Sequence, residues 1–320
     1  MYPKLLLFSS LVYIPLALGA AAGHLRLLRM DPSRPIMKFC WLSIEPLVII
    51  IAFWGLDLRK VADLASAPVL GAAWMLAMIM PGHIAAAALK LKHPQRGNFL
   101  LASMFSNNGI TLGAFLCLVF IGDEGLAMSI LFMVGFSPLL LTVGFGIGKH
   151  SARKAALANG DAGDEPLSLG ILRLVPYSAL ALGLALNIGG ARLPDFTPYL
   201  TRCLVFADVV LYSFAIGTLF VLGSVRRFFR ECLVMSGLKF IVSPIIGLLL
   251  FFIAAQFADL SPLLLRVMVI QCAMPVAIMS VVVSRFCRLD MQLAAACWVF
   301  TTLAVAGLVP ALAYAVSYLG

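Results

Sequence analysis

From Leu5 to Leu319 one apolar run of about 20 residues follows another, with only short polar stretches between them. As a helix, each run covers the roughly 30 Å hydrocarbon layer of a bilayer. Lipid offers no partner to a backbone polar group, and the runs are too long and too solidly apolar for barrel strands, so helix is the state they can adopt there. Apolar residues make up 62% of the 320 and charged residues 12%, a balance that a water-soluble domain cannot hide. The runs predict spans at 5–22, 36–54, 68–89, 98–121, 125–148, 171–190, 202–223, 234–256, 263–284 and 291–318. The fold class expected is therefore all-α, integral membrane, with ten transmembrane helices.

The loops orient those spans. Of the 23 Lys and Arg residues, 17 fall on one side, among them Arg26, Arg29, Arg34, Lys90, Arg96, Lys149, Arg173, Arg227, Lys239 and Arg288. Lys4, Arg59, Lys60, Arg192, Arg202 and Arg266 are the rest. This bias puts the basic loops in the cytoplasm and both termini outside the cell membrane. The formal charge of +9 is thereby a matter of topology and anionic headgroups, since a nucleic-acid binder gathers its cations on a soluble face. Residues 1–22 end on the small residues Ala20, Ala21 and Ala22, as a signal peptide would, but Lys4 is outnumbered by the cations just downstream. An uncleaved first helix is expected. The seven Cys are odd in number, show no CxxC spacing and lie in or beside apolar spans, which reads as packing.

One segment differs from the rest: Lys149 to Gly170 is polar, contains Gly and Ala, and is bounded by charge. It is predicted as a cytoplasmic linker, 149–170, between a first half 1–148 and a second half 171–320, each with five spans. An odd number of spans per half means opposite insertion, a 5+5 inverted repeat of the kind common in secondary transporters. Glu45 and Asp208, Pro81 and Pro244, and Asn108 and Gln271 each lie 163 positions apart, joining the second, third or fourth helix to its counterpart.

The fourth and ninth spans carry the most polar content at mid-depth. The fourth holds Ser106, Asn107, Asn108, Gly109 and Thr111; Asn and Gly tolerate left-handed backbone and favour a break. The ninth holds Gln271, Pro275 and Ser280, and Pro275 removes a helical hydrogen bond. Unwound backbone at this depth is tolerated only where protein or a watery cavity surrounds it, which points to a central site. The plainer alternative is that Asn and Pro bond a neighbouring helix or produce a kink. The candidate substrate-binding residues are thus Ser106, Asn107, Asn108, Gly109, Gln271 and Pro275. Glu45, followed by Pro46, and Asp208 are acids inside spans, where an ionised carboxylate costs about 2.5–3.5 kcal/mol. They are candidates for ion or proton coupling, or for a polar support of the unwound helices; the plainer alternative puts Asp208 near the outer end of its span, where water is close. No Lys or Arg is expected at a central position, Lys239 and Arg266 lying near span ends where they can snorkel. An anionic substrate would then be met by helix N-termini and amide groups. His83, in the Pro81-Gly82-His83 bend, reads as a satisfied packing residue. There is no nucleotide-binding loop, metal-ligand spacing or catalytic triad, so neither an enzyme nor a cofactor is expected.

Three stretches resemble the auxin efflux carrier family: Ser106-Asn107-Asn108-Gly109 through Gly122-Asp123-Glu124-Gly125-Leu126-Ala127, Gly237-Leu238-Lys239 through Pro244, and Cys272-Ala273-Met274-Pro275-Val276-Ala277. The resemblance implies a 5+5 inverted repeat with broken, crossing helices 4 and 9. It also implies scaffold helices 1, 2, 6 and 7, transport helices 3–5 and 8–10, and permease activity toward small organic anions such as malate-like dicarboxylates or indole acetate. The family's Asn falls on Asn107 and its second crossing Pro on Pro275. Its first crossing Pro falls on Ala114, with Leu112 in place of a Gly.

The function expected is a secondary transporter of a mono- or dicarboxylate by alternating access, with the bilayer and a small solute as partners and a proton or sodium as candidate coupling ion. A homodimer is left open. The alternatives are a sodium-coupled carrier similar to the bile acid symporters, which share the broken-helix arrangement, and a membrane sensor that binds a solute without moving it.

Overall fold

The computed structural model describes residues 2–25, 32–56, 65–159, 174–218 and 222–319. Arg26, Arg29, Arg59, Lys60, Arg173 and linker residues 160–170 lie outside the described residues. The regular structure of the described residues is helix, apart from one isolated antiparallel contact between Ser106 and Val276. Seven stretches are long and apolar enough to cross a membrane: Leu6–His24, Pro35–Trp54, Ser66–Ala88, Asp123–Leu157, Thr197–Thr218, Phe229–Ala254 and Met291–Tyr318. They match seven of the ten expected spans. Of the other three, 98–121 and 263–284 are each interrupted, and 171–190 is described from Leu174 onward, as the helix Val175–Ile188.

The first half holds α1 (Tyr2–His24), α2 (Ser33–Phe39), α3 (Glu45–Trp54), α4 (Ser66–Ala77), α5 (Ile79–Ala88), α6 (Gln95–Met104), α7 (Gly113–Phe120), α8 (Asp123–Phe132), α9 (Phe136–Leu139) and α10 (Phe145–Asn159). In the second half are α11 (Val175–Ile188), α12 (Thr197–Thr218), α13 (Leu222–Arg227), α14 (Phe229–Gly237), α15 (Ser243–Ala254), α16 (Pro262–Gln271), α17 (Ile278–Phe286) and α18 (Met291–Tyr318). The predicted linker starts too early: 149–159 continues α10. Its sequence, KHSARKAALAN, is rich in Ala, Lys and Arg, good helix formers that extend the helix past the apolar run.

Two prolines near helix starts follow wider turns, whereas Pro15 and Pro310 lie inside continuous helices. Pro46 and Pro244 each follow a π-helical turn, Cys40–Ile44 and Leu238–Val242, whose looser winding makes room for a ring that cannot donate a hydrogen bond. The turn Leu238–Val242 carries Lys239.

Two groups of helices meet at seams of small residues. α1 packs along α12, and α3 along α11. At the first seam Gly19 and Gly217 face each other so closely that a Cβ on Gly217 would lie 2.2 Å from the Leu16 carbonyl oxygen, and one on Gly19 would lie 2.1 Å from that of Phe214. With no hydrophobic drive between helices in lipid, such close backbone approach supplies the attraction.

The bundle has a basic end. There Arg96 reaches His83 Nδ1 at 3.2 Å, Gln95 donates to Asp290 Oδ2 at 3.0 Å, and Arg227 donates to Gln292 at 3.0 Å. The rings of His93 and His150 meet edge to face. The His93 imidazole is pushed below its usual pKa, by burial first and then by Lys154, Arg96 and His150. Elsewhere, Trp54 donates to the Ala191 carbonyl at 2.8 Å, and the Asn187 amide donates to the carbonyls of Phe53, Trp54 and Leu56.

Gly217→Ala is expected to lower the melting temperature of the detergent-purified protein by about 5 °C or more, the result of roughly 1–3 kcal/mol of overpacking. Gly307→Ala, on α18 with open space around it, is the control and should change it little. Equal melting temperatures for both variants would contradict the seam.

Candidate functional site

α6 stops at Met104, where Phe105 turns extended at φ −101°, ψ 125°, and helix resumes only at Gly113. On the other side α16 ends at Gln271 and α17 begins at Ile278. The two unwound segments, 105–112 and 272–277, cross and satisfy each other. Asn107 N donates to Pro275 O at 2.7 Å and Ala277 N to Phe105 O at 3.0 Å, while Val276 N donates to Thr301 Oγ on α18 at 3.2 Å. A backbone off the helix in a membrane needs such partners.

The breaks differ in detail from the sequence reading. None of Asn107, Asn108 and Gly109 is left-handed; positive φ among the described residues belongs to Lys90, Arg288, Gly122 and Gly190. An extended Phe105, the cross-segment hydrogen bonds and a turn in which Asn108 N donates back to Ser106 O at 2.8 Å replace the left-handed turn that Asn-Gly suggests. The segments cross at Ser106, and Ala114, where the resemblance put the first crossing Pro, is the second residue of α7.

Side chains lock the crossing. Asn108 Nδ2 donates to Gln271 Oε1 at 2.7 Å and to Gln271 O at 2.9 Å, and Gln271 Nε2 returns a bond to Asn108 O at 3.1 Å. Both residues are buried. Gly113 permits this brace, since a Cβ there would stand 2.5 Å from Gln271 Oε1 and 2.9 Å from Asn108 O. At the C-terminal end of α16, Ser243 Oγ donates to Cys272 O at 2.6 Å, and Trp74 Nε1 in turn donates to Ser243 O at 3.2 Å.

At the corresponding end of α6 stands the side-chain amine of Lys239. Lys239 is 0% exposed, and its Nζ lies 2.8 Å from Ser103 O, 3.1 Å from Phe105 O and 2.8 Å from Ser106 Oγ. This corrects the expectation that Lys239 snorkels to a span end and that no cation sits centrally. The π-helical turn that carries it faces the crossing, and the terminal carbonyls of α6, the negative end of that half-helix, receive it there.

Beside the crossing a small cavity, with room for little more than water, is lined by Asn107, Thr111, Tyr212, Thr302 and apolar residues of α1 and α12. Asn107 Oδ1 accepts from Thr111 Oγ at 2.7 Å. Of the six substrate-binding candidates, only Asn107 borders this cavity. Asn108 and Gln271 are engaged with each other, Ser106 with Lys239, and the Pro275 carbonyl with Asn107 N, while Gly109 is half-buried beside them.

Tyr212 connects this cavity to the two acids. Glu45 and Asp208 face one another together with Tyr212 and Cys40. Asp208 is 0% exposed, and neither of its carboxyl oxygens meets a hydrogen-bond donor of normal geometry. It is therefore not at a watery end of its helix, because α12 turns that face onto the π-helical turn Cys40–Ile44 and α3. Glu45 is half-buried. Lys239, Thr111, Tyr212, Thr302, Ser243 and Thr301 were not singled out as binding residues by sequence. The stretch Gly237-Leu238-Lys239 through Pro244, part of the resemblance, was the one signal that pointed to Lys239. No group of three or more His, Cys, Asp and Glu side chains able to hold a metal occurs among the described residues.

Residues 210–319, the C-terminal third of the chain, match the family model described as the Sodium Bile acid symporter family. That stretch contains Lys239, Gln271, Pro275 and Thr302. No curated protein matches the chain.

The Asn108 and Gln271 brace has a coupling signature. Asn108→Ala and Gln271→Ala are each expected to cost about 1–3 kcal/mol of stability, since each leaves a buried partner unpaired. The double variant should fall well short of their sum, measured as melting temperatures in detergent. Full additivity would show that the two amides act independently.

Proposed function

We propose that the chain is a secondary transporter, not an enzyme, that moves a small organic anion such as a mono- or dicarboxylate across the cell membrane by alternating access. The observation that carries this reading is the crossing itself. Two helices lose their winding at facing points, bind each other there, and leave a small cavity of mixed lining against α1 and α12. A static membrane anchor has no use for so costly a device, whereas a carrier needs backbone groups at mid-depth. The match of residues 210–319 to a family described as a symporter supports the same class.

An anionic substrate suits the electrostatics. The buried ammonium of Lys239 bonds Ser106, the residue next to Asn107, and the N-termini of α7 and α17 bring positive helix ends to the crossing. Ser106, Asn107, Asn108, Gly109, Gln271 and Pro275 are proposed as the site, with Asn107 contacting the passenger and Asn108 and Gln271 holding the shape. In this reading α6 with α7, and α16 with α17, each count as one span. The total is then ten, in oppositely inserted halves 1–148 and 171–320, and the contact of Asn108 with its counterpart 163 positions away supports that pairing. The helices α1 to α3, α11 and α12 form the scaffold, and the rest move. The basic end faces the cytoplasm and both termini face outward. Export of an anion then gains about 2.3 kcal/mol per charge per 100 mV of inside-negative potential.

A second reading, a sodium-coupled carrier like the bile acid symporters, is favoured by the family match. Glu45 and Asp208 are proposed instead as the coupling pair for protons, through Tyr212 to the cavity.

Thermal stabilisation across a panel of organic acids selects the solute, and uptake into proteoliposomes tests the reading. Uptake of at least one mono- or dicarboxylate is expected, and Asn107→Ala should reduce it about tenfold or more through lost hydrogen bonds to the passenger. No flux of any such acid, under a potential or an ion gradient, would remove the proposal. Asp208→Asn should abolish stimulation of uptake by an imposed pH gradient; undiminished stimulation would take the acids out of coupling.

A further inference from the structure

Three oxygens, two of them backbone carbonyls at the end of a broken half-helix, make up the nest around Lys239 Nζ: Ser103 O, Phe105 O and Ser106 Oγ, at 2.8, 3.1 and 2.8 Å. Hard oxygens on unwound backbone are the ligands that replace the hydration shell of an alkali cation in membrane proteins. Here they are occupied by the chain's own ammonium, whose three N–H donors match three acceptors. We propose that Lys239 is a tethered cation, filling the place at this crossing that a coupling sodium ion would otherwise take, so that the protein works without sodium.

The two half-helix ends differ in a way that supports this. At the end of α16, the carbonyls of Gln271 and Cys272 accept from neutral donors, the Asn108 amide and the Ser243 hydroxyl. At the end of α6, the carbonyls accept from a positive charge. In this proposal the cation site is at the α6 end, and it is closed: Lys239 is fully buried, as are Ser103 and Ser106. The stem rises from the π-helical turn Leu238–Val242, within one helix, so the charge arrives by covalent attachment and not from solution. Phe105 O also accepts from Ala277 N, which ties the ammonium directly to the crossing segments. A bound anion would then find its countercharge already present, and transport would carry the charge of the anion alone. This deepens the carrier reading and rests on it for the consequence in flux, but the cation site can be tested by binding.

The test compares purified full-length protein in sodium chloride and in choline chloride at constant ionic strength. Wild-type melting temperature is expected to be the same in both within about 1 °C. Lys239→Ala, which vacates the oxygens, is expected to gain a saturable rise of about 3 °C or more with sodium. Lys239→Met, which fills the space with an apolar chain, should show none. Saturable stabilisation of the wild type by sodium overturns the proposal, as does a folded Lys239→Ala that ignores it. If Lys239→Ala cannot be purified, radiolabelled sodium decides on the wild type: binding no greater than that of protein-free micelles upholds the proposal, and stoichiometric saturable binding overturns it. In proteoliposomes, organic-acid uptake should be equal in sodium and choline within twofold, and a strict need for sodium overturns the proposal. A protein that moves no organic acid would defeat the carrier reading, while the sodium titrations would still decide the cation site.

Discussion

The structure turns on the need of backbone groups in a membrane for partners within the protein. Residues 105–112 and 272–277 leave the helix where lipid offers no donors or acceptors, and the deficit is met by their running past each other. Asn107 N with Pro275 O, and Ala277 N with Phe105 O, form the shortest of antiparallel pairings. Around it the sequence supplies the remaining partners from helices far away in the chain: Thr301 from α18, Ser243 and Lys239 from either side of one helix joint, and the reciprocal amides of Asn108 and Gln271. Removing any one of these groups leaves a buried polar atom alone, so the packing of α14 to α18 against α6 and α7 is dictated by the crossing as much as by apolar contact.

Charge follows from the same geometry. A broken helix presents half-helix ends, and ends carry partial charges that a continuous rod would keep at the membrane surfaces. The Lys239 amine satisfies one negative end, amide and hydroxyl groups satisfy the other, and the positive ends of α7 and α17 face the crossing. Across Tyr212 the acids Glu45 and Asp208 sit against the π-helical turn Cys40–Ile44. The unwound segments thus touch the buried Lys239 amine at Ser106 and border, at Asn107, the cavity that Tyr212 shares with the half-buried Glu45 and the buried Asp208.

Much of the architecture was legible in the sequence because hydrophobicity acts over whole helices. Seven long apolar helices fall where the runs put them, and the interruptions fall at Asn107-Asn108-Gly109 and Pro275, the residues that break winding. The 163-residue spacing of Asn108 and Gln271 proved to be a direct contact. What the sequence concealed depends on direction and not on composition. Lys239 sits among apolar neighbours, and a side chain with four methylenes could equally run outward to water; the π-helical turn before Pro244 sends it inward. Asp208 likewise lies nearer one end of the span read from the sequence, 202–223, but the helix runs Thr197–Thr218 and places it at the middle, on the face that α3 and Cys40 cover. Residues 149–159 read as linker because charge and polarity mark loops, whereas their propensity keeps them helical.

The account is tested most directly by asking whether the cavity beside the crossing opens to both sides. Thr111→Cys, in protein with the exposed Cys203 replaced by Ser, can be treated with a membrane-impermeant thiol reagent in right-side-out and in inverted vesicles. Labelling from each side, slowed by a solute that stabilises the protein, is the result expected of alternating access. Labelling from a single side only, unchanged by any such solute, would contradict it.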